Sequence, residues 1–267
     1  MITWVNGQPT QTISVADRGL AYGDGLFETL RVQQGRPLRL ELHLARLELG
    51  CQRLQIKLDF EQVRQEIHSF CAQAESAVCK LIVTRGVGQR GYAIPENAQP
   101  QRILQLSSPP QWPDEHSVQG VRLYACQTAL SIQPLLAGIK HLNRLEQVLA
   151  RAEWQDPSYA EGLMLDTQGY ITDCVSSNIF FVRDGRLLTP SLTRCGVAGV
   201  MRAWIMQQAQ QLGIDCQETQ IKVTQLAGMD EVFTSNSLYG IWPVVSYQNY
   251  RWSVGSIARR LQQRLTD

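Results

Sequence analysis

The chain holds only four lysines, Lys57, Lys80, Lys140 and Lys222, against 21 arginines. One of them, Lys140, sits in Ala137-Gly138-Ile139-Lys140-His141-Leu142-Asn143-Arg144-Leu145-Glu146-Gln147. An apolar strand-like or loop segment runs into this lysine and a helix-like segment leaves it. Such a junction can aim an amine into a cleft while the following helix fixes its position. A lysine amine condenses with an aldehyde to give a Schiff base, which is how proteins anchor pyridoxal phosphate. That cofactor asks for three further things: a carboxylate that keeps the pyridine nitrogen protonated, an anion site for the phosphate, and shape for the substrate.

The elements that must position these groups fall into two stretches. Ile2 to Val5 is expected as a strand ended by Asn6-Gly7, and Leu26 to Val32 as another ended by Gln34-Gly35-Arg36. A helix is expected from Glu41 to Leu54. A second follows Asp59, a suitable N-cap, with Val63, Ile67, Phe70 and Cys71 on one face. Val78 to Thr84 and Arg102 to Ser107 have strand composition. Pro109, Pro110 and Pro113 then exclude both a helix and a central strand. The expected division is an N-terminal α+β domain over 1–108, a linker over 109–120 and a C-terminal α+β domain over 121–267 that carries Lys140. Within the second, a strand near Val121 to Cys126 precedes a helix from Leu142 to Trp154. Hairpins turn at Gln168-Gly169 and Asp184-Gly185. Helices are expected over Gly199 to Leu212 and Ser253 to Leu265.

Bulk properties narrow the class. With 267 residues, 44% hydrophobic and 18% charged, the chain is of ordinary globular composition. A net charge of +1 gives no pull toward nucleic acid or anionic lipid. No apolar run reaches the roughly 18 residues that span a bilayer, and Met1 to Gly7 lacks the pattern of a signal peptide. Seven cysteines, an odd number without C-x-x-C spacing, suit reduced residues of a cytoplasmic protein. The four histidines have no metal-ligand spacing, so no metal is expected. Gly86-Val87-Gly88 lacks the glycine spacing of a dinucleotide fingerprint, and no G-x-S-x-G occurs.

Together, the Lys140 segment and Tyr170-Ile171-Thr172-Asp173-Cys174-Val175-Ser176-Ser177-Asn178-Ile179-Phe180 resemble the fold type IV pyridoxal phosphate enzymes. That group holds branched-chain and D-amino-acid aminotransferases and aminodeoxychorismate lyases. The resemblance spans essentially the whole chain. Gly138 to Val148 and Thr84-Arg85-Gly86-Val87-Gly88-Gln89-Arg90-Gly91-Tyr92 are most similar to the lyases. It implies an α+β fold of the D-amino-acid aminotransferase type, with a small N-terminal α/β sandwich domain and a larger C-terminal pseudobarrel domain. It further implies pyridoxal 5'-phosphate as cofactor, a small-molecule substrate and a homodimer.

The resemblance also assigns residues. Lys140 is the Schiff-base lysine and the proton-removing base. Asp173 stands where the family usually has glutamate facing the pyridine nitrogen, one methylene shorter; a strand-end aspartate capping a turn is the structural alternative. Arg46 matches the phosphate arginine, whose guanidinium can fork onto two oxygens. Gly199, Val200 and Met201 open a helix whose free amides favour an anion, and Ser237 matches a phosphate hydroxyl. Arg90 and Tyr92 match positions that receive a substrate carboxylate. Arg85 is grouped with them, or both arginines are solvated at a hairpin tip. Tyr22, Phe27, Glu28 and Thr29 are expected to line the cleft. Phe27 replaces a tyrosine of the D-amino-acid aminotransferases, and Thr29 is placed near the departing enolpyruvyl group. The implied reaction converts 4-amino-4-deoxychorismate to 4-aminobenzoate and pyruvate, by proton abstraction and loss of enolpyruvate. An aminotransferase on the same scaffold, or an inactive anion-binding homologue, remain the alternatives.

Overall fold

The computed structural model describes residues 2–265; Met1, Thr266 and Asp267 lie outside the described residues. The chain forms two compact units. One comprises Met1–Pro110 with Ile139–Asn143, the other Gln111–Gly138 with Arg144–Asp267. The segment bearing Lys140 therefore packs with the N-terminal unit, although it lies within the expected C-terminal stretch of sequence.

In the first unit the order is β1 (Ile2–Val5), β2 (Gln8–Pro9), α1 (Arg18–Tyr22), β3 (Gly25–Gln33), β4 (Arg36–Pro37), α2 (Leu40–Leu54), α3 (Phe60–Cys71), β5 (Ser76–Thr84) and β6 (Gln101–Ser107). The strands make one antiparallel sheet in the order β2-β1-β6-β5-β3-β4. Asp59 caps α3 by accepting from the amide of Gln62. Leu30, Val32, Leu44, Leu47, Val63, Ile67 and Phe70 are buried, so the apolar stripes of α2 and α3 and the alternate residues of β3 form the core.

The second unit runs α4 (Glu115–Val118), β7 (Val121–Ala125), α5 (Leu145–Ala152), β8 (Tyr159–Leu165), β9 (Tyr170–Cys174), β10 (Asn178–Arg183), β11 (Arg186–Pro190), α6 (Val200–Gln211), β12 (Cys216–Thr219), β13 (Ile221–Lys222), β14 (Glu231–Asn236), β15 (Gly240–Tyr247), β16 (Tyr250–Arg251) and α7 (Ser256–Gln263). Its sheet has ten strands in the order β12-β11-β10-β14-β15-β7-β8-β9-β13, with β16 on β15. The two ends of this path, β12 and β13, are separated in sequence by Gln220 alone. The sheet thus curls back toward its own start, the pseudobarrel geometry. Phe180 and Phe233 stack at 5.0 Å, and with Ile205, Ala209 and Leu261 they seal α6 and α7 onto the sheet. Asp184 and Gly185, with φ of 51° and 73°, form the turn between β10 and β11.

All seven cysteines are free thiols. Among the described residues no helix is long and apolar enough to cross a membrane, and no cluster of potential metal ligands occurs.

Candidate active site

The backbone around Lys140 is held on both sides. Gly138, at φ 82°, donates to the Gly196 carbonyl at 2.9 Å and accepts from Ala198 at 3.0 Å. Two residues on, the carbonyl of Lys140 accepts from the amide of Phe27 at 2.9 Å, and Leu142 donates to Gly25 at 3.0 Å. His141 bridges Leu26 in antiparallel sense, and the Asn143 amide donates to the Gly23 carbonyl at 3.2 Å. The expected helix from Leu142 therefore begins only at Leu145, because Lys140 to Asn143 are bonded to residues 23–27 instead. That pairing, more than the helix, fixes the lysine. Its Nζ lies 4.5 Å from the centroid of the Phe27 ring, whose face attracts an ammonium.

Successive residues of β3 point to opposite sides of the sheet. Glu28 therefore faces α2, where it meets His43 and Arg46. Its Oε1 accepts from Arg46 Nε at 2.8 Å, and its Oε2 from Arg46 Nη2 at 2.5 Å and His43 Nδ1 at 2.6 Å. Glu28 and His43 are each 2% exposed. Burial pushes the Glu28 carboxyl up, but the Arg46 charge and the bonds from His43 and Arg46 outweigh it and bring it to about 2. Burial lowers His43 despite the opposing pull of Glu28, so the imidazole is neutral and donates from Nδ1. Arg46 is thus oriented from behind by a buried carboxylate. Neither Glu28 nor His43 carried a sequence signal for this role.

Thr29 and Phe27 lie on the opposite face of the sheet, both partly exposed. Tyr22 stacks obliquely on Tyr92 at 5.5 Å, and Arg18 caps the loop by donating to the Gly91 carbonyl at 2.8 Å. Arg90 and Tyr92 sit on this exposed loop between β5 and β6. Arg85 is placed otherwise: it is buried, forks onto Asp24 at 2.7 and 2.9 Å, and donates to the carbonyls of Leu54 and Gln55. Its nitrogens tie α2 to the end of β5, so its geometry is that of a structural residue and not of a hairpin-tip ligand.

In the second unit, Asp173 is 6% exposed on β9. Its Oδ1 accepts from Asn178 Nδ2 at 2.6 Å and its Oδ2 from the Val197 amide at 2.7 Å. Asn178 also donates to the Val197 carbonyl at 2.8 Å. N–H donors on both oxygens suit an ionised carboxylate, which only accepts. The loop that brings Val197 here depends on glycine. A Cβ on Gly196, at φ 86°, would fall 2.8 Å from Asp173 Oδ2, and one on Gly199 would fall 1.9 Å from Asn178 Oδ1. Gly199 precedes α6, whose N-terminus has no side-chain cap, so the amides opening the helix point outward from Val200 and Met201 whatever their buried side chains do. Ser237 lies in the tight turn from β14 to β15, where Asn236 Oδ1 accepts from Leu238 and Tyr239. Glu161, fully buried with its carboxyl raised by burial, accepts from the hydroxyls of Ser176 and Ser177 and so braces the turn leading to Asn178. Asn178 was visible as part of a quoted segment, but its tie to Asp173 depends on the turn between β9 and β10.

Each unit carries groups of the kinds that pyridoxal phosphate requires. The first has an amine on an apolar ring and an arginine held by a carboxylate. The second has a buried acceptor carboxylate and a helix N-terminus without a side-chain cap.

The family model for amino-transferase class IV matches residues 25–247. An aminodeoxychorismate lyase of Vibrio harveyi is 36% identical over 267 residues, covering 98% of each chain. The crystal structure of 4-amino-4-deoxychorismate lyase from Pseudomonas aeruginosa is 55% identical, with a TM-score of 0.98 over 100% of this chain and 98% of that one. The branched-chain amino acid aminotransferase of Escherichia coli is 25% identical, with a TM-score of 0.86 over 99% of this chain and 93% of that one. On the match of the family model and the identity to these lyases, the chain belongs to the class IV aminotransferase family.

Proposed function

We infer that this protein is an aminodeoxychorismate lyase, a pyridoxal-phosphate enzyme that converts 4-amino-4-deoxychorismate to 4-aminobenzoate and pyruvate. The observation that carries the reading is the Lys140 amine, held over Phe27 by backbone pairing on β3, in a chain that matches lyases end to end. When bound, pyridoxal phosphate supplies an electron sink beside the substrate amine.

Each residue has a role in that chemistry. Lys140 would anchor the cofactor aldehyde, and its free amine would take the proton from the amine-bearing ring carbon. Asp173, fixed by Asn178 and Val197, would keep a proton on the pyridine nitrogen. Arg46 in the first unit, and the amides opening α6 and Ser237 in the second, are the groups suited to the phosphate. Thr29 stands by the enolpyruvyl oxygen that leaves from the adjacent carbon, and Arg90 and Tyr92 receive a substrate carboxylate. Aromatisation of the ring drives the elimination. No amino group is transferred, so no keto-acid acceptor is required. A homodimer in the cytoplasm, with its thiols reduced, belongs to the same proposal.

The test is formation of fluorescent 4-aminobenzoate from aminodeoxychorismate without any keto acid. Borohydride treatment of the cofactor-loaded protein and peptide mapping should label Lys140, and Lys140→Ala should abolish product. The aminotransferase reading has support in the shared fold with the branched-chain enzyme. Rapid glutamate formation from D-alanine or a branched-chain amino acid with 2-oxoglutarate, with no 4-aminobenzoate, would establish it instead. A protein that stays colourless on adding pyridoxal phosphate would point to an inactive homologue. Sedimentation at two concentrations tests the dimer.

A further inference from the structure

Glu161 is a carboxylate that the proposed chemistry does not use. It lies on β8 at 4% exposure, with no cation within ion-pair distance among the described residues. Asp24, Glu28 and Glu66 are by contrast set against arginine. The partners of Glu161 are neutral donors. Its Oε1 accepts from the Gly162 amide at 3.0 Å. Its Oε2 accepts from the hydroxyls of Ser176 and Ser177, at 2.5 and 3.0 Å, and from the Ser176 amide at 3.2 Å. A buried carboxylate without a counter-charge is unfavourable unless such donors satisfy it. Once satisfied, a buried polar network of this kind makes the segments that supply the donors rigid.

Two segments are tied in this way. Both serines lie in the turn from β9 to β10, which the Cys174 amide closes by donating to the Ser177 carbonyl at 2.7 Å. The next residue is Asn178, whose Nδ2 donates to Asp173. Ser177 also reaches the turn from β14 to β15. Its hydroxyl hydrogen-bonds with the Tyr239 phenol, which donates to Thr234 Oγ1 at 3.1 Å. Tyr239 ends that second turn, its amide held by Asn236 Oδ1 at 3.0 Å, with Ser237 between them. Asn236 Nδ2 reaches back to the Ser176 carbonyl at 3.4 Å. The Tyr239 ring stacks on Trp242 at 3.8 Å and 8°, which fixes the direction of the phenol oxygen.

We propose that Glu161 is a positioning residue for the cofactor: through Ser177 and Tyr239 it holds the turn that carries Asn178 and the turn that carries Ser237 at one fixed separation. This rests on the roles given above to Asp173 and Ser237. The ring nitrogen and the phosphate belong to one molecule, so groups that grip them separately are useful only at a constant distance from each other. A carboxylate suits the task because its two oxygens take several donors at once.

The test uses the full-length protein stripped of cofactor. Pyridoxal phosphate is titrated by absorbance, inorganic phosphate is scored as its competitor, and the melting temperature is read on the same samples. Glu161→Gln keeps the shape but sets an N–H against the amide of either Gly162 or Ser176. It should weaken pyridoxal phosphate binding about tenfold. Inorganic phosphate should compete about 3- to 10-fold less well in this variant, although Ser237 is untouched. Tyr239→Phe removes only the phenol oxygen and should weaken pyridoxal phosphate by about 3- to 10-fold. Both changes interrupt one chain of bonds, so the double variant should bind no more than about twofold more weakly than the worse single variant. If Glu161→Gln does not fold, Ser177→Ala takes its place in the same measurements. Effects of the two single variants that simply multiply overturn the proposal. So does unchanged competition by inorganic phosphate, and so does a lowered melting temperature with pyridoxal phosphate affinity intact. In each of these cases a wild type that makes 4-aminobenzoate leaves the lyase reading standing. A wild type that binds pyridoxal phosphate but makes no 4-aminobenzoate overturns the lyase reading alone, and one that takes up no pyridoxal phosphate overturns both.

Discussion

Glu28 meets Arg46 through both of its oxygens, at 2.8 and 2.5 Å, in the interior of the first unit. The carboxylate is shared with His43 at 2.6 Å, so one buried anion orients the guanidinium proposed for the cofactor phosphate. The arrangement places the cost of ordering Arg46 in the folding of the protein and leaves less of it for cofactor binding.

The acid limb of stability should report this carboxylate. Its ordinary value of 4.5 falls to about 2 in the fold. A lowered folded value gives stability that is present above 4.5 and lost as pH falls from there toward 2. By linkage the full term is on the order of 3 kcal/mol. Glu28→Gln should therefore unfold at lower urea than wild type at pH 7, and the gap should narrow steadily between pH 4.5 and 3. A gap independent of pH across that window would show that Glu28 is not ionised against Arg46 and His43.

Asp173 makes a second prediction, and an unusual one. The family usually places glutamate here, yet both oxygens of the shorter side chain are already seated on Asn178 and Val197. A Cβ on Gly196 would lie 2.8 Å from Oδ2, so the loop leaves no room for a further methylene. Asp173→Glu should weaken pyridoxal phosphate binding by about tenfold through overpacking, on the order of 1–3 kcal/mol. Asp173→Asn keeps the volume but sets an N–H against an N–H, and it could not fill the role proposed for Asp173 at the pyridine nitrogen. Its kcat should fall by at least about 100-fold, the scale of a lost electrostatic partner in the transition state. Titration of cofactor absorbance and a single 4-aminobenzoate assay separate the two variants. A fully active Asp173→Glu would mean the loop moves freely.

Much of this was legible in the chain because it is local. The Asp59 cap acts over a few residues, and the helix it announces is present. What was not legible depends on distant partners. Residues 142–144 have helical composition, but Leu142 and Asn143 are drawn to Gly25 and Gly23, so the helix starts late. Arg85 beside Gly86 looks like a hairpin tip until Asp24, 61 positions earlier, is brought to it. Pro243 argues against a central strand by removing an N–H, yet β15 lies between β14 and β7, and its ladder to β7 is irregular just beyond, between Val244 and Ser246.

Gly199 should tolerate no side chain. Its Cβ would sit 1.9 Å from Asn178 Oδ1, so Gly199→Ala must push Asn178 away and break its bond to Asp173. The same change lies at the mouth of α6. Cofactor affinity should drop by at least about tenfold, and thermal stability should fall by an amount on the order of 1–3 kcal/mol. Gly169, at φ 79° and with nothing within 4 Å of its Cβ, serves as a control in which alanine brings backbone strain without the clash. Gly169→Ala should cost stability without changing cofactor affinity. Equal effects of the two variants on cofactor binding would remove the Asn178–Asp173 link from the account.

Phe27 is the surface beside the Lys140 amine, the group proposed to carry the cofactor. Replacing it by leucine keeps an apolar side chain but removes the ring face 4.5 Å from Lys140 Nζ. A cation–π contact of this kind contributes about 0.5–2 kcal/mol, so the position of the amine becomes less sharply defined without being lost. Phe27→Leu should therefore load cofactor normally and still be labelled by borohydride at Lys140, while kcat falls between about twofold and 30-fold. Phe27→Tyr keeps the ring and should retain more of the lyase rate than the leucine variant. If leucine and tyrosine lowered kcat equally, the ring face would not be what holds the amine, and the backbone pairing of Lys140 with Phe27 would account for its placement alone.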